Sequence, residues 1–496
     1  MPSPILAIID VGSNSVRLMV VKHLEEQNVV IIDERKETPR LALAKDTEGF
    51  LTLDGFSRLI HTLRYFRDVA LAFGADPIIV RATAALRNIR NQSQVLQEIT
   101  RETGLTVEVL SGDEEAGIGF LAVKHSLTLA QGWTIDVGGG STEIVSYEGG
   151  RIGHQESLPF GAVSLSSLNL SPKDMILWVQ DEYSRVNWLQ MKNPQAIALG
   201  GSARVMARSI QHESDYPFQQ IHAFQILSTT IDTWLTKIAL MTPDQRKKLA
   251  HIPKDRVDII VPGIAIILGL LKTTQSDMLT ISGYGLRNGL LLQHLGTQTG
   301  GFSSIALQSA WNIARRGEWP WELAEGLQER AARLGKAVKS ILGLSDRSVE
   351  LVQVAALLRY CGRNVNMYHG DQHTFHNILG YALTGLNHEE WISVALIASY
   401  RSVKRLQRLW SPYSSIVSRE RLVVIRQLGV LLRLADIFSP PIMNGVERLS
   451  LQYLNKELVV TVSGTGISGP VEELKDLAKD IKKSWQLKLI VPGLLN

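Results

Sequence analysis

The chain has 496 residues, 45% hydrophobic and 20% charged, which fits a globular protein of two to four domains, each able to bury its own core. Cys361 is the only cysteine, which excludes a disulfide framework and a thiolate metal cluster. The net charge of +4 is uneven: residues 1–300 carry 28 basic against 31 acidic groups, and residues 301–496 carry 24 against 17.

The opening MPSPILAIID has no basic stretch ahead of its apolar run, and Asp10 interrupts that run, so no signal peptide is expected. ILAIIDVGSNSVRLMVVKHL reads as strand, glycine turn, strand. Leu53 to Phe73 has the apolar spacing of an amphipathic helix, and Asp76 to Val80 and VEVLSG (107–112) are short strands. GDEEAGIGFLAVKHSL then opens a helix with its acidic residues in the first turn, where the helix dipole favours them. WTIDVGGGSTEIVSYEGG repeats the strand, glycine turn, strand pattern, and Gly200-Gly201-Ser202 makes a third glycine turn at a helix start. The apolar run from Ile259 to Leu271 is too short to cross a bilayer and contains Pro262, so a soluble protein of the cytosol is expected.

TQTGGFSS (297–304) reads as a linker. Helical periodicity follows at 305–316, 321–342, 347–360, 374–384, 389–400 and 419–437. Residues 446–496 return to a mixed pattern of strands near 447–453, 457–463 and 486–491 with a charged helix at 470–484. Between Arg401 and Arg433 stand eight basic residues and one acidic residue, Glu420. Arg401, Lys404, Arg405 and Arg408 fall at i, i+3, i+4 and i+7, one cationic stripe for a polyanion if this segment is helical, and a solvated face otherwise.

The pattern that carries chemistry is an internal repeat. Asp10-Val11-Gly12-Ser13-Asn14-Ser15 is echoed by Asp136-Val137-Gly138-Gly139-Gly140-Ser141, 126 residues later and again between apolar strands. A turn without bulky side chains lets successive N–H groups converge on an anion, and Ser or Asn adds donors, so two such turns can clamp a row of phosphates across a cleft between two α/β lobes. Asp10 and Asp136 end apolar strands, where a solvated charge is not expected. Together with Glu143 they offer the hard oxygen ligands that Mg²⁺ or Mn²⁺ takes alongside substrate phosphate, although an Asp here also caps its own turn. Glu114 and Glu115 stand at a helix start, as dipole partners or as a base for an attacking water. Arg81 and Arg87 bracket a segment after a buried strand, and each suits bidentate phosphate contact or a surface ion pair.

DVGSNSVRL, RATAALRN, LSGDEEA, IDVGGGSTEIV, ALGGSARVMA, VDIIVPGIAII and SGYGLRNG occur in that order. Together they resemble the exopolyphosphatase and guanosine pentaphosphate (pppGpp) phosphatase family of the actin, sugar kinase and heat-shock ATPase superfamily. The resemblance covers residues 5–295 and extends more weakly through 305–440. It implies an α/β fold with two actin-like (ribonuclease H-like) lobes, 1–127 and 128–300, with a cleft between them. A helical HD-like domain at 305–445 and a small α+β tail at 446–496 follow. Carried over, it makes Glu115 the catalytic base and Arg87 a phosphate-contacting arginine. Asp136 and Glu143 become the magnesium-associated carboxylates, and Gly12–Ser15 and Gly138–Ser141 the two phosphate loops.

The chain also departs from that family. Arg204 stands in the third loop where relatives carry small residues, and Arg287-Asn288-Gly289 replaces an Arg-Glu-Gly. Arg359-Tyr360 occupies the His-Asp position of the HD phosphohydrolases, and Tyr400-Arg401-Ser402 replaces a Tyr-His-Arg. His373, His376 and Asp436 remain but make a poor metal site, so the helical domain is expected to be non-catalytic.

The function expected is hydrolysis of the terminal phosphoric anhydride bond of inorganic polyphosphate. The alternative is removal of the 5′-terminal phosphate of pppGpp to give ppGpp. A kinase of the same superfamily and a non-enzymatic polyphosphate or alarmone sensor are the other classes. No membrane and no specific nucleic acid is expected as a partner, and a homodimer is left open.

Overall fold

The first strand of the chain is buried along almost its whole length, as the apolar run ahead of Asp10 demands of a strand with neighbours on both sides. In the computed structural model, residues 4–25, 28–189, 194–296, 304–317, 319–363, 365, 367–439, 444–454, 456–468 and 470–493 are described. The chain divides into two units, Met1–Gly300 and Gly301–Asn496.

The first unit holds two sheets. Lobe I comprises β1 (Ile5–Val11), β2 (Val16–Glu25), β3 (Asn28–Glu37), α1 (Leu53–Ala72), β4 (Ile78–Ala82), α2 (Ala84–Arg87), α3 (Gln92–Thr103) and β5 (Val107–Val109). Helix α4 (Gly112–Lys124) leads to lobe II: β6 (Gln131–Val137), β7 (Thr142–Glu148), β8 (Arg151–Leu158), α5 (Ala162–Ser166), α6 (Pro172–Ser184) and β9 (Gln195–Leu199). Then come α7 (Gly200–Glu213), β10 (Gln225–Leu227), α8 (Ser228–Ala239), α9 (Pro243–Arg246), α10 (Ile260–Thr273), β11 (Met278–Ile281) and α11 (Leu286–Leu295). The sheet orders are β3-β2-β1-β4-β5 and β8-β7-β6-β9-β11-β10. In each, the first two hairpins are antiparallel and the next strands join in parallel. The sequence repeat is therefore a repeat of topology, with β10 as an added edge.

Helix α10 contains the apolar run that is too short for a membrane. It is buried from Ile260 to Leu271 in the lobe II core, and Pro262 lies in its first turn, where a missing N–H costs little. No described helix is long and apolar enough to cross a membrane.

The expected division at residue 127/128 is crossed by two helices. Ala116, Phe120 and Val123 of α4 pack on Val145, Tyr147, Ile197 and Leu199 of lobe II. Leu290 and Leu291 of α11 pack on Leu6, Ile8 and Met19 of lobe I, with Ile118 of α4 in the same cluster. The two helices touch so closely that a Cβ on Gly289 would lie 2.0 Å from the Ile118 carbonyl oxygen. Each helix has two apolar faces, so each bridges rather than belonging to one lobe.

The second unit contains α12 (Ile305–Arg316), α13 (Trp321–Leu342), α14 (Asp346–Leu357), α15 (Gly370–Gly380), α16 (His388–Ala398), α17 (Val403–Trp410) and α18 (Arg419–Ile437). A three-stranded sheet of β12 (Asn444–Leu454), β13 (Glu457–Ser468) and β14 (Lys488–Ile490) follows, with α19 (Val471–Trp485) inserted. Of the expected linker 297–304, residues 297–303 lie outside the described residues, and Ser304 caps α12. The expected boundary at 445/446 falls inside one unit, because α19 leans on α18: Trp485 Nε1 donates to the Gln427 carbonyl, and Arg433 pairs with Asp480 at 2.9 Å.

Arg359 and Tyr360 converge on Asp436. Arg359 Nε lies 3.2 Å from Oδ2, and the Tyr360 hydroxyl donates to Oδ1 at 2.6 Å. Asp436 is thus occupied by a guanidinium and a phenol, and among the described residues His373 and His376 join it in no metal-binding group.

Candidate active site

The two glycine turns are built alike. At the β1–β2 turn the Gly12 N–H donates to the Ser15 carbonyl at 3.1 Å, and at the β6–β7 turn the Gly138 N–H donates to that of Ser141 at 2.9 Å. Below each turn a residue pair faces across the ladder, Asp10 opposite Arg17 and Asp136 opposite Glu143. The turns approach each other: a Cβ on Gly139 would lie 2.9 Å from Ser13 Cβ, so only glycine fits. The third turn closes the floor, since Gly200 has φ +83° and a Cβ there would sit 2.3 Å from Asp136 Oδ1.

These turns line one cleft, together with Asp10, Arg17, Glu115, Asp136, Glu143, Arg204, Arg256 and Arg287. Gly12, Ser13, Asn14, Ser15, Gly138, Gly139 and Ser141 all line it, and Gly140 stands just behind, against Ala84. The Asn14 Nδ2 donor is buried and without a partner, a cost that a bound anion would remove.

The helix start separates the two glutamates. Glu114 belongs to a capping box: its carboxylate accepts from the Ser111 N–H at 2.7 Å, and its own N–H donates to Ser111 Oγ at 3.2 Å. That backbone hydrogen bond holds its pKa below the usual value. Glu115, one residue on, turns into the cleft. Its Oε2 accepts from Arg87 Nη1 at 3.0 Å, and Arg87 Nη1 also donates to the Leu110 carbonyl at 2.8 Å. Arg87 Nη2 reaches within 3.9 Å of Glu143 Oε1, which accepts from Ser157 Oγ at 2.9 Å. Arg87 therefore joins the two carboxylates. Arg81 does not share in this; it pairs with the exposed Glu108 at 2.7 Å.

Burial dominates the titration of these groups. Burial, and then the neighbouring Glu143, raises the Glu115 pKa well above the usual carboxylate range, against the pull of Arg87. Burial raises Glu143 to about 7 and Asp10 to about 6, and raises Asp136 as well. Asp136 and Glu143 are thus two facing hard-oxygen donors in want of a cation, which suits Mg²⁺ or Mn²⁺ completed by phosphate and water. The expected third ligand, Asp10, lies in lobe I, and among the described residues no three acidic, histidine or cysteine side chains form a metal group.

Four arginines crowd the same cleft. Arg204 donates to the Gly200 and Gly283 carbonyls at 3.0 and 3.1 Å, and Arg287 pairs with Glu34 at 2.8 Å. Arg256 stands on a turn tied to lobe I by the Lys36–Asp255 ion pair, against the backbone of Gly201. Burial and then Arg17 push Arg204 down to about 10; Arg256 is lowered by the same causes in the same order, and Arg17 by burial and then Arg287. Guanidiniums this close, and this poorly hydrated, suit a multiply charged anion. Sequence reasoning did not assign Arg17 and Arg256 to the site. The repeat held the signal for Arg17, which stands 126 residues before Glu143, as Asp10 stands before Asp136. No local pattern marks Arg256.

The basic segment in the second unit is only partly a stripe. Ser402 caps α17, so Arg401 precedes the helix, and Arg405 is committed to the buried Asp371 at 2.7 Å. Lys404 and Arg408 are exposed on α17.

A model of the Ppx/GppA phosphatase family matches residues 19–298. Exopolyphosphatase 1 of Mycobacterium tuberculosis (strain ATCC 25618 / H37Rv) is 28% identical over 324 residues, which are 62% of this chain and 94% of that protein. Among solved structures, the Aquifex aeolicus member of the Ppx/GppA family is similar with a TM-score of 0.52 at 28% identity, over 59% of this chain and 98% of that one. An exopolyphosphatase from Cytophaga hutchinsonii ATCC 33406 gives a TM-score of 0.54 at 23% identity, over 60% of this chain and all of that one, a likeness of fold.

Proposed function

This chain belongs to the Ppx/GppA phosphatase family, and we propose that it is an exopolyphosphatase, releasing orthophosphate from the end of inorganic polyphosphate. The observation that carries the reading is the cleft itself: Glu115 held by Arg87 at one side, two facing glycine turns, and four partly buried arginines beyond them. The curated relatives, matched over 94% and 92% of their own length, bear that activity in their names.

In this reading the terminal phosphoryl group lies between the turns. The N–H groups of Ser13–Ser15 and Gly139–Ser141, with Asn14 Nδ2, bind its oxygens and hold it in line, while those of Gly12 and Gly138 close the turns themselves. Arg87 occupies Oε2 of Glu115 and leaves Oε1 to take the proton of the attacking water. The water oxygen bonds to the terminal phosphorus and the bridging P–O bond breaks. The shortened chain keeps the bridging oxygen, and Arg17, Arg204, Arg256 and Arg287 neutralise it. Asp136 and Glu143 would hold a magnesium or manganese ion, which supplies further charge neutralisation to the phosphoryl oxygens when bound.

The alternative substrate is pppGpp, whose 5′-phosphates would bind the same turns. Orthophosphate release from long polyphosphate, pppGpp and ATP, measured side by side with purified protein and Mg²⁺, separates the readings. Faster turnover per end of polyphosphate supports the proposal. Turnover of pppGpp alone replaces it, and release from none of the three removes both.

A further inference from the structure

A second recess borders the catalytic residues. It is open to solvent, and its walls include Arg87, Asn88, Ser111, Asp113, Ser141 and Ser157. Ser141 borders both this recess and the cleft, Glu115 borders the cleft, and Arg87 borders the recess. The 3.0 Å contact between Arg87 Nη1 and Glu115 Oε2 is therefore part of the partition between the two spaces. The Arg87 side chain is 20% exposed, although it also reaches toward the buried Glu143.

This arrangement matters once the terminal bond is cut. Orthophosphate is then left beside Glu115 and Arg87, and the remaining polyphosphate fills the cleft in front of it. The product leaves by the cleft only if the chain leaves first. We propose that the recess is the exit for orthophosphate, which passes Arg87 while the shortened chain stays bound; this rests on the phosphatase reading above. The lining suits a phosphate that is to be passed on. Arg87 meets the product first and carries a full positive charge. Asn88, Ser111 and Ser157 offer neutral polar groups, and Asp113 and Glu156 add negative charge. With one cation against two carboxylates, the recess holds phosphate weakly and conducts the product rather than storing it.

A reversible plug tests this. Asn88 is exposed on the recess wall and takes no part in binding or proton transfer. Cys361 is buried, and burial pushes its thiol up to about 12, so Asn88→Cys supplies the one reactive thiol. The variant is labelled with a bulky methanethiosulfonate reagent and mixed with long polyphosphate. Acid quench reads cleavage, and a fluorescent phosphate sensor reads release. Unlabelled protein should match the parent. Labelled protein should cleave its first bond at the parent rate and release phosphate about tenfold more slowly or worse, with product release becoming limiting. Chains of intermediate length should accumulate, because a chain must now dissociate to free the product, and reductant should reverse both effects. Release unchanged with the label in place, or cleavage and release falling together, overturns the proposal. If the unlabelled parent frees no orthophosphate from polyphosphate, the functional reading fails and the exit fails with it.

Discussion

Replacing Glu115 by glutamine isolates its role as a base. The amide has the same shape, and its oxygen still accepts from Arg87 Nη1 at the 3.0 Å position, so the guanidinium and both glycine turns stay in place. What is lost is the ability to take a proton. A positioned base contributes about 10²–10⁴-fold, so kcat should fall by that factor, about 3–5 kcal/mol of barrier, while KM changes by less than about threefold. Stability should hold or rise slightly, because a buried charge that repels Glu143 and Asp136 is removed. The pH profile gives a second reading. Burial, then Glu143, raises the Glu115 pKa, so in the parent kcat should rise with pH above the ordinary carboxylate range as the base loses its proton. In the variant that limb should flatten. Initial rates of orthophosphate release on polyphosphate, with melting curves for both proteins, decide the matter. A variant with more than half the parent turnover would refute the assignment.

Activity should require Mg²⁺ or Mn²⁺, and Asp136→Asn should raise the metal concentration for half-maximal rate about tenfold or more; full activity in excess chelator would count against the Asp136–Glu143 site. Gly200→Ala should lower turnover about tenfold with the fold retained by circular dichroism, since its Cβ would displace Asp136 Oδ1 and its φ of +83° disfavours any side chain. In chelator, melting temperature should fall as pH rises from 5 to 8. The folded state keeps protons on Asp10 to about 6 and on Glu143 to about 7, so their contribution is present below the unfolded values and is lost as pH passes through the folded ones; a melting temperature that climbs over this range contradicts it. Reversing Arg401, Lys404 and Arg408 to Glu spares the Arg405–Asp371 pair. It should weaken long polyphosphate binding and flatten its salt dependence while pppGpp hydrolysis changes by less than about threefold, and unaltered binding would leave the segment a solvated face.

Much of the architecture was legible because it is written locally. An apolar run ending in Asp, a turn of small residues and a second apolar run can hardly be anything but a strand hairpin, and its recurrence 126 residues later announced two similar lobes. Seven helices of the second unit, α19 among them, were readable in the sequence, whereas α17 was only a conditional reading, since its eight residues bury only Leu406. The capping box of Ser111 and Glu114 was likewise implicit in LSGDEE, although which of two adjacent glutamates faces the cleft depended on where helix α4 docks.

By itself, then, the sequence determined the two glycine turns, the strand-end carboxylates Asp10 and Asp136, and the pairing of Asp136 with Glu143 that a tight hairpin forces. Only tertiary structure decided what surrounds them. Arg17, Arg204, Arg256 and Arg287 come from a strand, a helix, an isolated turn and the last helix of the unit, and no spacing rule links them. Arg87, Glu115 and Glu143 meet because α4 crosses to the second sheet while the segment carrying Arg87 remains on the first. Local backbone preference acts over a few residues and is visible in a chain. Burial of apolar faces acts across hundreds, and here it set which charges share the cleft.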